Sequence, residues 1–172
     1  MRHPTAQSRR QGLLPDVPES DQGIYVLLIH LPVSIMLSAG ALPPRSYPRG
    51  TYWYVGSAQR HLRNRLSRHL KRDKPLRWHI DYFLALPQPR VLEVFTKPAD
   101  KSAECDTAGR LLHHGEPVPR FGASDCRCPT HLIHTRGRHS RTAEALLLEQ
   151  KFVKGSAPDR ESRGKPHQEA RS

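Results

Sequence analysis

The run GIYVLLIHL, Gly23 to Leu31, limits the possible folds more than any other stretch of the chain. It is dense in β-branched and aromatic residues and stops at Pro32, which reads as a buried strand. A second short apolar run, Val33 to Leu37, leads into SAGALPPRSYPRG, whose Pro and Gly content demands a loop or hairpin connection. TYWYVGSAQ follows as another strand, with Tyr52 and Tyr54 on one face and Trp53 and Val55 on the other. Gly56 breaks that strand. A helix is expected from about Arg60 to Arg72, where Leu62, Leu66 and Leu70 form one apolar stripe, with His61, Arg65 and His69 beside it. Pro75 ends it.

RWHIDYFLAL, Arg77 to Leu86, suits either a helical turn or a strand, and Val91 to Phe95 alternates as a strand does. Asp100 or Ser102 can cap a helix running through His114, with Gly115 in the terminating position. PVPRFGASDCRCPTHL is expected as a loop, and Thr142 to Val153 as a last helix. The order predicts an α+β fold: a small antiparallel or mixed β-sheet flanked by helices. The folded domain is expected over 21–153, between a flexible arm, 1–20, and a basic, disordered tail, 154–172.

Charge narrows the function classes. The 172 residues carry 28 Lys+Arg against 16 Asp+Glu, a formal net charge of +12, which points to a polyanionic partner: nucleic acid first, an anionic membrane surface second. The longest apolar block, Ile24 to Ile29, is far short of a membrane span, and the N-terminus lacks the apolar segment of a secretory signal. Three cysteines argue against a disulfide framework and fit a reducing cytoplasm. No phosphate loop of Walker or dinucleotide type and no serine-nucleophile elbow is present.

Arg60, Arg63, Arg65, Arg68, Lys71, Arg72, Lys74 and Arg77 fall in and just after one helix, with Asp73 as the acid among them. Such a ridge would contact backbone phosphates, with steep salt dependence and little base preference. The bland alternative is a solvated face. Cys126-x-Cys128, with His131 and His134 downstream, raises structural zinc, which Cys105, His113 or His114 would have to complete. CxC is a poor match to the usual CxxC knuckle, so a turn-rich loop with reduced thiols is the expected reading. Asp125 and Arg120 in that loop would contact substrate or buttress a site.

Gly23-Ile24-Tyr25 and Tyr54-Val55-Gly56 resemble the paired signature of the GIY-YIG nuclease superfamily, with the Val variant in the second element. GSAQRHLRNRLSRHL then places Arg65 three residues after Leu62 and His69 one turn beyond it, and SAECDTAGRLL supplies Glu104. With RWHIDYFL and PVPRFGASDCRCPTHL, the stretch Gly23 to His134 is similar to the small, stand-alone Uri-type subfamily of prokaryotic proteins. The resemblance implies metal-dependent cleavage of phosphodiesters, with DNA as substrate and Mg²⁺ or Mn²⁺ as cofactor. It makes Tyr25 and Tyr54 the signature tyrosines, Arg65 the helix arginine and Glu104 the metal-binding acid. His69 falls where the superfamily often carries a second aromatic residue or a His. No obligate protein partner is implied. The connection between the two tyrosine elements is longer than the short hairpin of many members, although a hairpin can lengthen at its tip without moving its base.

These residue types suit the reaction. Glu104 precedes Ala108, Leu111 and Leu112 at helical spacing and so borders a core-facing stripe, where a carboxylate needs a cation or hydrogen-bond donors. The alternative is an exposed acid stabilising the helix N-terminus. Arg65 offers a fixed charge and a planar fork for phosphate oxygens. A tyrosine serves as general base if nearby cations lower its pKa from about 10. Tyr25 is therefore expected as base or water-positioning group, with Tyr54 as its hydrogen-bonding partner; ordinary strand aromatics are the competing reading. Two rival functions follow: a basic nucleic-acid-binding module without catalysis, and a zinc-stabilised interaction domain.

Overall fold

The computed structural model of the chain describes residues 21–137 and 139–157. The arm expected over 1–20 and the tail residues after 157 lie outside the described residues. The fold is α+β, as the sequence predicts. Strands β1 (Gly23–Leu31), β2 (Ile35–Leu37), β3 (Arg45–Tyr47) and β4 (Gly50–Ala58) come first. Helices α1 (Leu62–Leu70) and α2 (His79–Ala85) precede β5 (Arg90–Lys97) and α3 (Ser102–Leu112). Then follow β6 (Glu116–Pro117), β7 (Leu132–Thr135), α4 (His139–Glu149) and β8 (Val153–Ser156).

Six strands form one antiparallel sheet in the order β6-β7-β4-β1-β5-β8. β1 lies inside it, between β4 and β5, and is covered on both faces. That position explains its nearly unbroken apolar run: alternate side chains enter two different cores. Tyr25, Leu27, Ile29, Tyr52 and Tyr54 pack with Leu62, Leu66, Ile80 and Phe83 of α1 and α2. Ile24, Val26, Trp53 and Val55 pack on the opposite face with Ala108 and Leu111 of α3 and Ala143 and Leu147 of α4.

The long β1–β4 connection makes a separate two-stranded sheet in which Ile35 pairs with Tyr47. Tyr47 is buried against Phe83, ring centroids 5.3 Å apart. The base of the hairpin is undisturbed: Tyr25 pairs with Gly56 and Leu27 with Tyr54.

Arg77 to Leu86, open between helix and strand in the sequence, is helical because Asp81 caps it, accepting from the amides of Arg77 and Trp78 at 3.0 and 3.1 Å. At the start of α3, Asp100 accepts from the amide of Ser102 at 2.9 Å. Several boundaries differ from expectation. β4 runs through Gly56 to Ala58, and α1 and α3 span Leu62–Leu70 and Ser102–Leu112, both helices shorter than the sequence predicts. The last helix ends at Glu149, before Val153, and the chain then turns through Lys151 at φ 64°. Residues 154–156 belong to the sheet rather than to a disordered tail, because β8 covers what would otherwise be the open edge of β5. Lys154 fits there by bridging Glu93 at 2.8 Å and Glu144 at 2.6 Å.

Candidate active site

The strand pair β1–β4 sets the geometry of the site. A Cβ on Gly56 would lie 2.5 Å from the ring of Tyr25, so only glycine lets that ring cross the neighbouring strand. The phenol reaches His69 on the last turn of α1, with Tyr25 Oη 2.7 Å from His69 Nε2. Ring centroids are 6.4 Å apart for Tyr25 and Tyr54, 5.4 Å for Tyr25 and His69, and 6.3 Å for Tyr54 and His69. His69 belongs to the same buried helix face as Leu62 and Leu66, which aims it at the sheet. Tyr25 and His69 are each 1% exposed and Tyr54 is 7% exposed, so the three rings form a closed cluster.

Asp81, which sequence reasoning passed over, supports that cluster from behind. It is fully buried and accepts from Arg68 at 2.8 and 3.0 Å, with Lys74 Nζ at 3.5 Å. Its Oδ1 stands 3.7 Å from Nδ1 of His69, which favours the proton on Nδ1 and leaves Nε2 to accept from the phenol. Burial pushes the Asp81 carboxyl up, but His69, the two capping amides and Arg68 together outweigh it and hold the group well below the usual carboxylate range. For His69 burial is the larger cause and lowers the pKa, against the pull of Asp81, so the ring is held neutral. Arg65 and Arg68 both stack on Trp78, their guanidinium carbons 4.4 and 4.5 Å from the centroid of an indole ring. The signal available in the sequence was Asp81 at the third helical position of α2.

The cationic ridge divides in two. Arg60, Arg63, Lys71, Arg72 and Arg77 are exposed. Arg68 and Lys74 are not available to a phosphate backbone, contrary to expectation. Arg68 is committed to Asp81 and the carbonyl of Pro75, and the nearly buried Lys74 ammonium donates to the carbonyls of Arg68 and His69 at 3.2 and 3.0 Å.

The expected lowering of the tyrosine pKa does not occur. Burial raises Tyr25 and Tyr54 above the ordinary phenol value, Glu104 adds to the rise, and Arg65 opposes it. Both phenols are therefore proton donors at neutral pH.

Glu104 stands in the first turn of α3 and is 13% exposed, which excludes the reading as a solvated helix-end acid. Ser57, next to Gly56, donates its hydroxyl to Oε2, and Oε1 lies 3.0 Å from Nδ1 of His131, near but not aligned as a hydrogen bond. Each carboxylate oxygen keeps a lone pair beyond these contacts. One partly open carboxylate beside a hydroxyl fits a hard divalent ion that retains most of its waters, so the residues suit Mg²⁺ or Mn²⁺.

On the far side of His131 a second donor set assembles. The ligand atoms of Cys105, Cys126, Cys128 and His131 all lie within 4.8 Å of one another. Burial pushes the Cys128 thiol up to about 12, with Cys105 and Cys126 beside it adding to the rise. His113, His114 and His134 are not part of this set. His134 instead stacks on Tyr52 at 4.7 Å. Asp125 pairs with Lys101 at 2.6 Å on the surface, and Arg120 makes a loop turn at φ 64° while its amide donates to the carbonyl of Pro129. Neither is placed against the tyrosine cluster by any contact among the described residues.

A protein-family profile described as a domain of unknown function, DUF123, matches residues 24–153, nearly the whole of the folded region. The chain belongs to the DUF123 family. The match begins inside β1 and ends at the start of β8, so it takes in the tyrosine cluster, Glu104 and the cysteine set together. No curated protein and no solved structure matches the chain. No helix among the described residues is long and apolar enough to cross a membrane.

Proposed function

We propose that this DUF123 protein is a divalent-metal-dependent endonuclease that hydrolyses phosphodiester bonds in DNA, on a site of GIY-YIG type. The observation that carries the reading is the buried cluster of two phenols and an imidazole on the β1–β4 pair, with Arg65 stacked on Trp78 at the start of α2 and Glu104 bonded to Ser57 of β4. Gly56 is the residue that makes room for that cluster.

Hydrolysis requires a water to lose a proton as it attacks phosphorus. A buried phenol with a raised pKa is a poor base alone, but Tyr25 is bonded to a neutral imidazole. Tyr25 can accept the water proton at Oη while passing its own to Nε2 of His69, and Asp81 beside Nδ1 stabilises the imidazolium that results. Tyr54 flanks the Tyr25 ring and can hydrogen-bond the attacked phosphate once the cluster opens. Arg65 neutralises charge developing on a non-bridging oxygen, stacked on Trp78 so that its fork is held in place. Glu104, held by Ser57, would bind Mg²⁺ or Mn²⁺, which supplies polarisation of the phosphate and stabilisation of the leaving oxygen. Arg60, Arg63, Lys71, Arg72 and Arg77 would carry the backbone flanking the cut.

A second reading, the same fold binding nucleic acid without cutting it, is favoured by one feature: Tyr25 is only 1% exposed, so substrate must open the cluster to reach it. Labelled single-stranded, duplex and branched DNA, each incubated with Mg²⁺, Mn²⁺ or chelator, separates the two. Metal-dependent cleavage lost in Arg65→Ala supports the nuclease; binding of every substrate with cleavage of none supports the module.

A further inference from the structure

All three cysteines of the chain and one of its eleven histidines meet at one point, although Cys105 comes from α3, Cys126 and Cys128 from the loop between β6 and β7, and His131 from the entrance to β7. We propose that Cys105, Cys126, Cys128 and His131 bind one Zn²⁺ ion as a structural centre that pins this loop to α3.

The spacing of the donors fits the ion. With Zn–S near 2.3 Å and Zn–N about 2.0–2.1 Å, a tetrahedron has N···S edges of roughly 3.5 Å and S···S edges of roughly 3.8 Å. His131 Nε2 lies 3.5 Å from Sγ of Cys126 and 3.9 Å from Sγ of Cys105. Three thiolates with one imidazole is a closed set that leaves no position for substrate. The soft sulfur donors select zinc over the hard ions suited to Glu104.

The setting supports it. The loop is tied at its base, where the His131 amide donates to the carbonyl of Phe121 and the Arg120 amide to that of Pro129, both at 2.7 Å. The cysteine segment beyond contributes no buried apolar side chain to either core; Ala123 is the last such residue before Thr130. A metal supplies the attachment that packing does not. His131 is 2% exposed, and its Nδ1 faces Glu104 at 3.0 Å without an aligned partner. With the ion bound on Nε2, this pairing would become a carboxylate–histidine–metal arrangement, in which an acid fixes the tautomer of a ligating ring. Zinc on Nε2 would orient the ring and, through Nδ1, hold the Glu104 carboxylate beside Ser57. The zinc site does not depend on the nuclease reading.

The full chain, purified without chelator, is assayed for metal by elemental analysis and for reactive thiols by Ellman's reagent, with and without a strong chelator. The expected result is one zinc per chain, thiols silent until chelation, and loss of zinc in Cys126→Ser but not in His113→Ala. Exchange of the wild-type protein into Co²⁺ should give the intense visible bands of a tetrahedral thiolate centre, which keeps the test valid if Cys126→Ser does not fold. His131→Cys should retain the metal with a cobalt spectrum shifted toward four sulfur donors. Zinc far below one equivalent with freely reactive thiols in the folded protein overturns the proposal. So does a mass lower by two hydrogens from an oxidised cysteine pair, or an iron–sulfur chromophore. None of these readings uses DNA, so failure of cleavage and failure of zinc binding are told apart.

Discussion

Two regions meet around the C-terminal half of β4 and are built on opposite principles. On one face, Tyr25, Tyr54 and His69 are locked by packing: glycine clearance, aromatic contacts and a buried Asp81 fix every ring. On the other side of Ser57 and Glu104, the cysteine loop brings its donors together with little apolar burial. The first arrangement is held within the protein, because the Tyr25 phenol bonds to His69 and the Asp81 carboxylate faces that ring from behind. The second gathers three thiols and an imidazole whose donor atoms all lie within 4.8 Å of one another, a set that an ion would tie together. A site held by packing tolerates loss of a metal and fails on a change of shape, whereas a site held by a metal does the reverse.

The largest effect should come from the support behind the rings. Asp81→Asn removes a buried charge that faces Arg68, Lys74 and His69, and the account predicts a loss of about 3–5 kcal/mol, read by urea denaturation. A loss below about 1 kcal/mol would show that the tyrosine face is not organised from behind. Gly56→Ala comes next: the added methyl meets the Tyr25 ring, at a cost of about 1–3 kcal/mol, while zinc content stays unchanged. Loss of zinc in this variant would join two regions described here as separately held.

Acid should affect the same face. The pKa of His69 is lowered in the folded protein, so the unfolded chain binds its proton first, and stability falls as pH drops below about 6.5. The pKa of Asp81 is lowered too; its contribution is present above the unfolded carboxylate value of about 3.9 and is lost as pH falls below it. Thermal melts from pH 8 to pH 3 should show two successive declines. His69→Gln should weaken the first, to which His79 and His134, whose pKa values burial also lowers, contribute. The smallest effect lies on the ridge. Arg72→Ala should weaken DNA binding uniformly across sequences and reduce the salt slope by about 1. Arg68→Ala should lower the melting temperature instead.

The sequence made parts of this legible and hid others for physical reasons. β1, β4 and the stripe of α1 were readable because each carries its own periodicity, and the alternation of Tyr52 and Tyr54 against Trp53 and Val55 placed both tyrosines correctly. Glu104 was readable as a half-buried acid from the spacing of Ala108 and Leu111. Asp81, Ser57 and β8 were not, since their roles exist only through partners distant in sequence. Asp81 acts on His69 and Arg68, Ser57 on Glu104, and β8 on the edge of β5. The ridge misled at Arg68 and Lys74 because a run of cations does not say which of them face inward. Cys105 was legible beside His113 and His114 as a residue that could complete the Cys126-x-Cys128 set. Spacing alone does not say which of the three the fold brings in, because each comes from another element.

The most direct test of the central claim is single-turnover cleavage of end-labelled DNA with Mg²⁺ by wild-type protein and by Glu104→Gln, each carrying equal zinc and binding DNA equally. The account predicts cutting by the wild type and a loss of at least about 100-fold in the variant. Cleavage at an unchanged rate in Glu104→Gln, or none by the wild type on any DNA it binds, would contradict it.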